Sequence, residues 1–400
     1  MSAAIPLALH GGAPVRRSFL PFAVSRFSEI EIAEVADTLR SGWVTTGPKT
    51  ERFENEFARY VGNRHAVGVS SGSAALNLAL EAAGIGPGDE VVTTPLTFVA
   101  TAHAILHRGA VPVFVDVDRR TLNLDPEIVE RRLTDRTRAI LPVHFAGRPC
   151  DMETLSAIAD AHRLVLVSDS AHAIEAVHRG RKLARWSRIN AFSFHPIKNL
   201  TTAEGGMLTT DDDDLAAELR LLRLHGLSKD AWSRHRGEAF TPADARLLGH
   251  KCNMTDLQAS LGIHQLARLD DNLARRTRLF EIYDRGFQDL PGIEVPSPLA
   301  RGGRHAMHLY VVLLDADRLG LDRVGFCKAL KAENIGTGHH YPSLHRMTLY
   351  RERLDYEDSD LPNSAWVADR IVSLPLYPSM SDEDADSVIE AVRKIVRHHR

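Results

Sequence analysis

Read only for apolar and polar positions, the first half of the chain alternates short apolar runs with longer amphipathic ones. Apolar runs stand at 66–69, 90–94, 111–115, 139–143, 164–167, 189–194 and 206–210. Runs this short, bounded by turn residues, read as strands buried on both faces. Helical spacing appears between several of them, after Ser73 to about Leu80, over 97–107 and over 152–161. Strands separated by helices at this rhythm predict right-handed crossovers and a largely parallel sheet covered by helices, an α/β fold. In such sheets ligands gather beyond the carboxyl ends of the strands.

The flanks extend this pattern. Ser28-Glu29-Ile30-Glu31 reads as a capping box opening a helix with Ile30, Ile32, Val35 and Leu39 on one side, closed at Ser41-Gly42. Trp43 to Pro48 reads as a loop of hydroxyls and an aromatic. The acidic run Asp211–Asp214 suits a helix N-terminus. Ala231 to Gly249 is expected to be an exposed, Arg-rich loop near a mouth or a partner. Helices are expected from Met254 and from about Leu269, the second long enough to bridge two domains. The clearest composition break runs from Pro291-Gly292 to Arg304. Beyond it lie an expected strand at His308–Leu314, a helix opened by Asp322, a short strand near Ile335 and a last helix capped by Ser381. The expected division is residues 1–270, an N-terminal arm and large domain, and 271–400, a bridging helix and smaller α/β domain.

Composition narrows the function classes. The 400 residues are 44% hydrophobic and 25% charged, with formal net charge −3. That balance lacks the basic excess of a nucleic-acid footprint, and no apolar run reaches the length of a membrane span. The start has no basic segment ahead of an apolar stretch, so no signal peptide is read and a cytoplasmic protein is expected. Cys150, Cys252 and Cys327 are odd in number and far apart, which suits reduced thiols. No HExxH, CxxC, GxGxxG or P-loop pattern occurs, so metal, dinucleotide and P-loop chemistry are not expected.

Candidate chemistry collects at the expected sheet edge. Lys198 follows the run ending at Phe194, where burial would lower its pKa and make it an amine nucleophile or Schiff-base former. Asp169 follows Leu164–Val167, with His172 just beyond; Phe98 follows the strand ending near Thr94. Ser70-Ser71-Gly72-Ser73 opens a helix, leaving backbone N–H groups free to seat a phosphate. Taken singly, each has an ordinary reading: a solvated lysine, a turn cap, a core histidine, a core phenylalanine, plain serine capping. Together they are what pyridoxal 5'-phosphate needs: an amine for its aldehyde, a carboxylate for its ring nitrogen, an anion seat and an aromatic cover. The loops His339-His340-Tyr341-Pro342 and Leu344-His345-Arg346 carry donors able to meet a phosphorylated substrate.

These residues sit within motifs that resemble the DegT/DnrJ/EryC1/StrS family of sugar-nucleotide aminotransferases, a branch of fold-type I pyridoxal-phosphate enzymes. The motifs, in the family's order, include SGWVTTGP (41–48), SSGSAAL (70–76), TPLTFVATA (94–102), PVHFAG (142–147), SDSAHAIEA (168–176), SFHPIKNLTTAEGG (193–206) and GHKCNMTDLQASLG (249–262). The resemblance implies Lys198 as Schiff-base lysine and acid/base, Asp169 as partner of the pyridinium nitrogen, Phe98 stacked on the ring and His172 near the 3-hydroxyl. It implies Gly72, Ser73 and Ser193 at the phosphate, joined by Asn253 from a neighbouring subunit in a homodimer with shared sites. Thr45, Thr46 and Tyr341 are implied on the sugar-nucleotide side, with glutamate as amino donor. The SGWxTTGPK and GxKxN forms look most like the branch acting on a UDP-4-keto-pentose. A cyclitol or aminobenzoate-type acceptor, or a non-catalytic regulatory protein of this fold, are the alternatives. The chain departs from the commonest family form at Ser73, Ser168, Ala203, Cys252 and Ser364, and keeps the lysine.

Overall fold

The computed structural model describes residues 6–228, 232, 242–299 and 301–399. Among them, the strands expected in the first half all form. They are β1 (His65–Val69), β2 (Glu90–Thr93), β3 (Val111–Phe114), β4 (Thr137–Leu141), β5 (Val165–Asp169), β6 (Ile189–Ser193) and β7 (Gly206–Thr210). They make one seven-stranded sheet in the order β1-β7-β6-β5-β4-β2-β3. Pairings from β6 through β5, β4 and β2 to β3 are parallel, whereas β7 is antiparallel to both β1 and β6. The sheet is therefore largely parallel, as the alternation predicts.

Helices cover both faces. α1 (Glu29–Ser41) and α2 (Pro48–Val61) precede β1, and α3 (Gly72–Ala82) and α4 (Val99–His107) follow β1 and β2. α5 (Met152–His162) precedes β5, α6 (Asp213–Leu222) follows β7, and α7 (Asp256–Ala267) and α8 (Leu269–Phe287) come next. One core joins α3, α4 and α6 to the sheet through Leu76, Ile105, Val167 and Leu219. Another packs Phe53 and Phe57 of α2 against Phe192, Phe194 and Ile263. The capping box at Ser28 forms, Gly42 closes α1 with φ +72°, and Asp212 caps α6. α2 was not legible as a helix: its polar surface hides a buried stripe of Phe53, Phe57, Ala58 and Val61.

Two expectations are corrected. The apolar side of α1 turns outward: Ile30, Ile32 and Leu39 are exposed, and Glu31 and Thr38 face inward. Glu31 is held by the Gln265 amide and the Arg268 guanidinium, and this pairing orients the helix. Near Ile335 there is an isolated parallel bridge to Leu20 of the N-terminal arm and no strand. The expected loop at 231–249 falls largely outside the described residues.

The tail forms an antiparallel sheet of β8 (Ile293–Glu294), β9 (Tyr310–Leu314) and β10 (Ile371–Leu374), backed by α9 (Arg323–Ala332) and α10 (Asp382–His398). Asp322 caps α9, and Ser381 opens α10 with a capping box. Its core also takes in Leu7 and Leu20, so the arm is anchored in the tail's core. The body is tied to α8 by a buried polar knot. The Glu175 carboxylate meets the Arg276 guanidinium and accepts twice from the Asn199 amide, at 3.1 and 2.9 Å. Both charges are almost wholly out of water, so removing one partner strands the other. Glu175→Ala is expected to cost about 3–5 kcal/mol of unfolding free energy; a loss below about 1 kcal/mol in denaturant titration would contradict the knot's role.

Candidate active site

The last residues of the parallel strands, with the start of α3 and the loop after β6, surround one cleft of about 540 Å³. Eight of the sequence-nominated residues line it: Gly72, Ser73, Phe98, Asp169, His172, Ser193, Lys198 and Tyr341. Asp169 is the final residue of β5 and is buried. Its Oδ2 accepts from the Thr101 hydroxyl at 2.8 Å and its Oδ1 from the Ala171 N–H at 3.2 Å. Burial raises its pKa; these two donors and the Lys198 charge oppose that. A cation set beside this carboxylate would relieve the cost of ionising it.

Lys198 supplies the complementary group. The loop after β6 turns back through its own N–H, donated to the His195 carbonyl, and carries the side chain into the cleft. The residue keeps some contact with the cleft while its amine lies in dense surroundings. Desolvation brings its pKa down to about 8, against the opposing pull of Asp169. Such an amine is a far better nucleophile near neutral pH than a surface lysine.

His172 is buried, and burial with nearby positive groups keeps its imidazole neutral. Its Nε2 lies 3.1 Å from the Tyr341 hydroxyl, whereas its Nδ1 has no partner. Burial also raises the Tyr341 pKa, so the phenol stays protonated and donates to the histidine. Phe98 precedes α4, with its ring largely exposed and 6.2 Å from that of Tyr341.

The anion seat has a steric signature. α3 begins at Gly72, with the Ser71 side chain accepting from the Ala74 N–H. A Cβ at Gly72 would come 2.7 Å from the Ser193 Cβ, so only glycine lets the helix start approach the end of β6. The residues present therefore fit pyridoxal phosphate on three observations. The start of α3 meets the end of β6 only because Gly72 lacks a Cβ, the buried His172 Nδ1 is unmatched, and a desolvated amine shares the cleft with a carboxylate whose ionisation is resisted.

The comparisons with known proteins agree with this geometry. The model of the DegT/DnrJ/EryC1/StrS aminotransferase family matches residues 26–393. The chain belongs to that family. It is thus a pyridoxal-phosphate-dependent aminotransferase of fold-type I, and its structural neighbours are sugar aminotransferases. It is 49% identical to the spore coat polysaccharide biosynthesis protein SpsC of Bacillus subtilis (strain 168), over 96% of this chain and 98% of that protein. The PLP form of the putative sugar aminotransferase Spr1654 from Streptococcus pneumoniae matches with a TM-score of 0.88 at 33% identity, covering 96% of this chain and 100% of that one. DesI, solved in the presence of its TDP-sugar product, matches with a TM-score of 0.87 at 32% identity, covering 99% and 98%.

Three nominated residues lie apart from the cleft. Thr45 leads into α2, where its carbonyl accepts from the Asp256 N–H. Asn253 bridges Val69 and donates to the Thr46 hydroxyl at 2.6 Å, and that hydroxyl donates to the Met254 carbonyl at 2.5 Å. Part of the tail loop is also committed elsewhere. Arg346 pairs with Asp358 and Asp369, and the buried His345 pairs with Asp358, leaving His339, His340, Tyr341 and Pro342 on the cleft. Ser364 donates to Asp116 at 2.5 Å. Sequence reasoning missed Thr101 and His308. Thr101 lies within TPLTFVATA, three residues after Phe98, and His308 stands two residues ahead of β9, neither with a signal of its own.

The Lys198 shift gives a pH signature. Its proton leaves as pH rises through about 8, so more of the amine is free above that pH. In protein stripped of cofactor, the rate of reaction with added pyridoxal phosphate should climb about tenfold per pH unit below 8 and level above it. A rate still climbing at pH 10 would mean an ordinary, solvated lysine.

Proposed function

We propose that the chain carries an amino group from an amino acid, glutamate, to the keto carbon of a nucleotide-linked 4-keto sugar by a ping-pong route. The observation that supports it most is the pairing, in one cleft, of the depressed-pKa Lys198 with the buried Asp169. The sugar acceptor draws support from DesI with its TDP-sugar product and from SpsC in polysaccharide biosynthesis.

When bound, the cofactor supplies an electron sink for the carbanion formed at the substrate carbon. The remaining work falls to this chain's residues. Lys198 Nζ would take and return the migrating proton, and a pKa of about 8 suits both directions near neutral pH. Asp169, oriented by Thr101 and the Ala171 N–H, would hold positive charge at the ring nitrogen. Gly72, Ser73 and Ser193 would hold the phosphate and Phe98 would cover the ring, while His172, oriented by Tyr341, keeps its unmatched Nδ1 available to the 3-hydroxyl.

The same reading makes the active unit a cytoplasmic homodimer, each chain folded as a body of residues 1–270 and a tail of 271–400. Phe19, Phe27, Ile30, Ile32 and Leu39 are exposed apolar groups, and a second copy would cover them. Asn253, outside its own chain's cleft, would then serve the partner's phosphate, with Thr45 and Thr46 beside the partner's sugar nucleotide. Mixing inactive Lys198→Ala and Asn253→Ala chains should restore about a quarter of native activity, since half the dimers carry one intact composite site; no recovery would sink the shared site. The acceptor is tested by turnover with UDP-, dTDP- and GDP-linked keto-sugars. At least one should be aminated, and turnover of a cyclitol ketone alone would overturn the sugar assignment.

A further inference from the structure

The loop that carries Lys198 has open space on two sides. One is the cleft; the other is a smaller cavity, of about 270 Å³, which Lys198, Asn199 and His308 all line. The Lys198 N–H bonds within the loop, to the His195 carbonyl at 2.9 Å. That bond shapes the loop but does not tie it to the elements around it.

The tie is the next side chain. Asn199 Nδ2 donates to both Glu175 oxygens, at 3.1 and 2.9 Å, and to the Ala306 carbonyl at 2.8 Å. Its Oδ1 lies 3.0 Å from His308 Nδ1. Turning the amide over would set its oxygen against a carboxylate and a carbonyl, so chemistry fixes its orientation and puts the proton on His308 Nδ1. The partners are anchored in their turn. Glu175 pairs with Arg276 of α8, and Glu175, Arg276 and His308 are all buried. The N–H groups of Ala306 and His308 donate to the Gly147 and Ala146 carbonyls, at 2.9 and 3.1 Å. One amide therefore joins the chain at the lysine to the segment after β5, to α8 and to the approach to β9.

This tie also reaches the cleft from behind. The His308 ring lies 4.3 Å from the ring of His172, which borders the cleft. Burial keeps both imidazoles, and that of His340, neutral, so the charge acting on the lysine amine is that of Asp169. Replacing His308 by a neutral side chain thus alters no charge beside the amine. A displacement of about 1 Å at a reacting group costs about a hundredfold in rate, so a tie one residue from the amine bears on the reaction itself.

We propose that Asn199 is a positioning residue for amino transfer: through Glu175, Ala306 and His308 it fixes the main chain from which Lys198 reaches into the cleft. The assignment rests on Lys198 being the lysine that reacts, as proposed above.

The test uses the full chain stripped of cofactor and follows uptake of added pyridoxal phosphate against pH. Releasing the loop gives the amine more water and moves its pKa back toward that of a free lysine. In Asn199→Ala and in His308→Ala the rate should therefore level about one pH unit higher than in the native chain, with uptake at pH 7 about tenfold slower. In His308→Asn, whose amide nitrogen can donate from the place of Nδ1, it should level where the native chain does. A global loss of stability would lower the amount of competent protein without moving that pH. An unmoved levelling pH in His308→Ala, or an equal shift in His308→Asn, would overturn the positioning role, and the His308 pair decides it even if Asn199→Ala fails to fold. Native uptake by Lys198→Ala would instead sink the lysine reading on which the proposal stands.

Discussion

An amine and a carboxylate share a place from which most water has been removed, and much of the surrounding structure exists to make that tolerable. Desolvation lowers the Lys198 pKa and raises that of Asp169, while each charge favours the other. The parallel sheet sets the distance between them, since β5 ends on Asp169 and its neighbour β6 leads into the lysine loop. A group that is cationic at one end and electrophilic at the other satisfies both residues at once. The cofactor assignment therefore follows from local energetics as well as from kinship.

The same economy recurs behind the lysine. Glu175, Arg276, Asn199 and His308 form one connected set in which the Glu175 carboxylate and the Asn199 amide are used, while Arg276 Nε and His308 Nε2 are left without partners. Fully matched buried polar networks are rigid, and what they leave unmatched is where a ligand gains most. Lys198 lines both cavities.

Much of this was legible in the chain because it is written in local rules. The strand rhythm, the caps at Ser28, Asp322 and Ser381, and the glycine-led start of α3 each depend on a few neighbouring residues. What escaped depends on distant partners. The outward turn of α1 is set by Glu31 meeting Arg268, and the roles of His308 and Thr101 appear only when separate elements converge. Arg346 looked like a free phosphate ligand because Asp358 and Asp369, which occupy it, are brought near only by folding. Asn253, by contrast, was nominated through family likeness alone; its distance from its own chain's cleft gives that nomination a physical meaning only if a partner is present.

The most direct measurement is borohydride reduction of the purified holoenzyme, followed by peptide mass spectrometry. The account predicts a single phosphopyridoxyl mass addition on the peptide carrying Lys198, abolished by excess glutamate before reduction. A label on another lysine, or none on a protein that still transaminates, would contradict it.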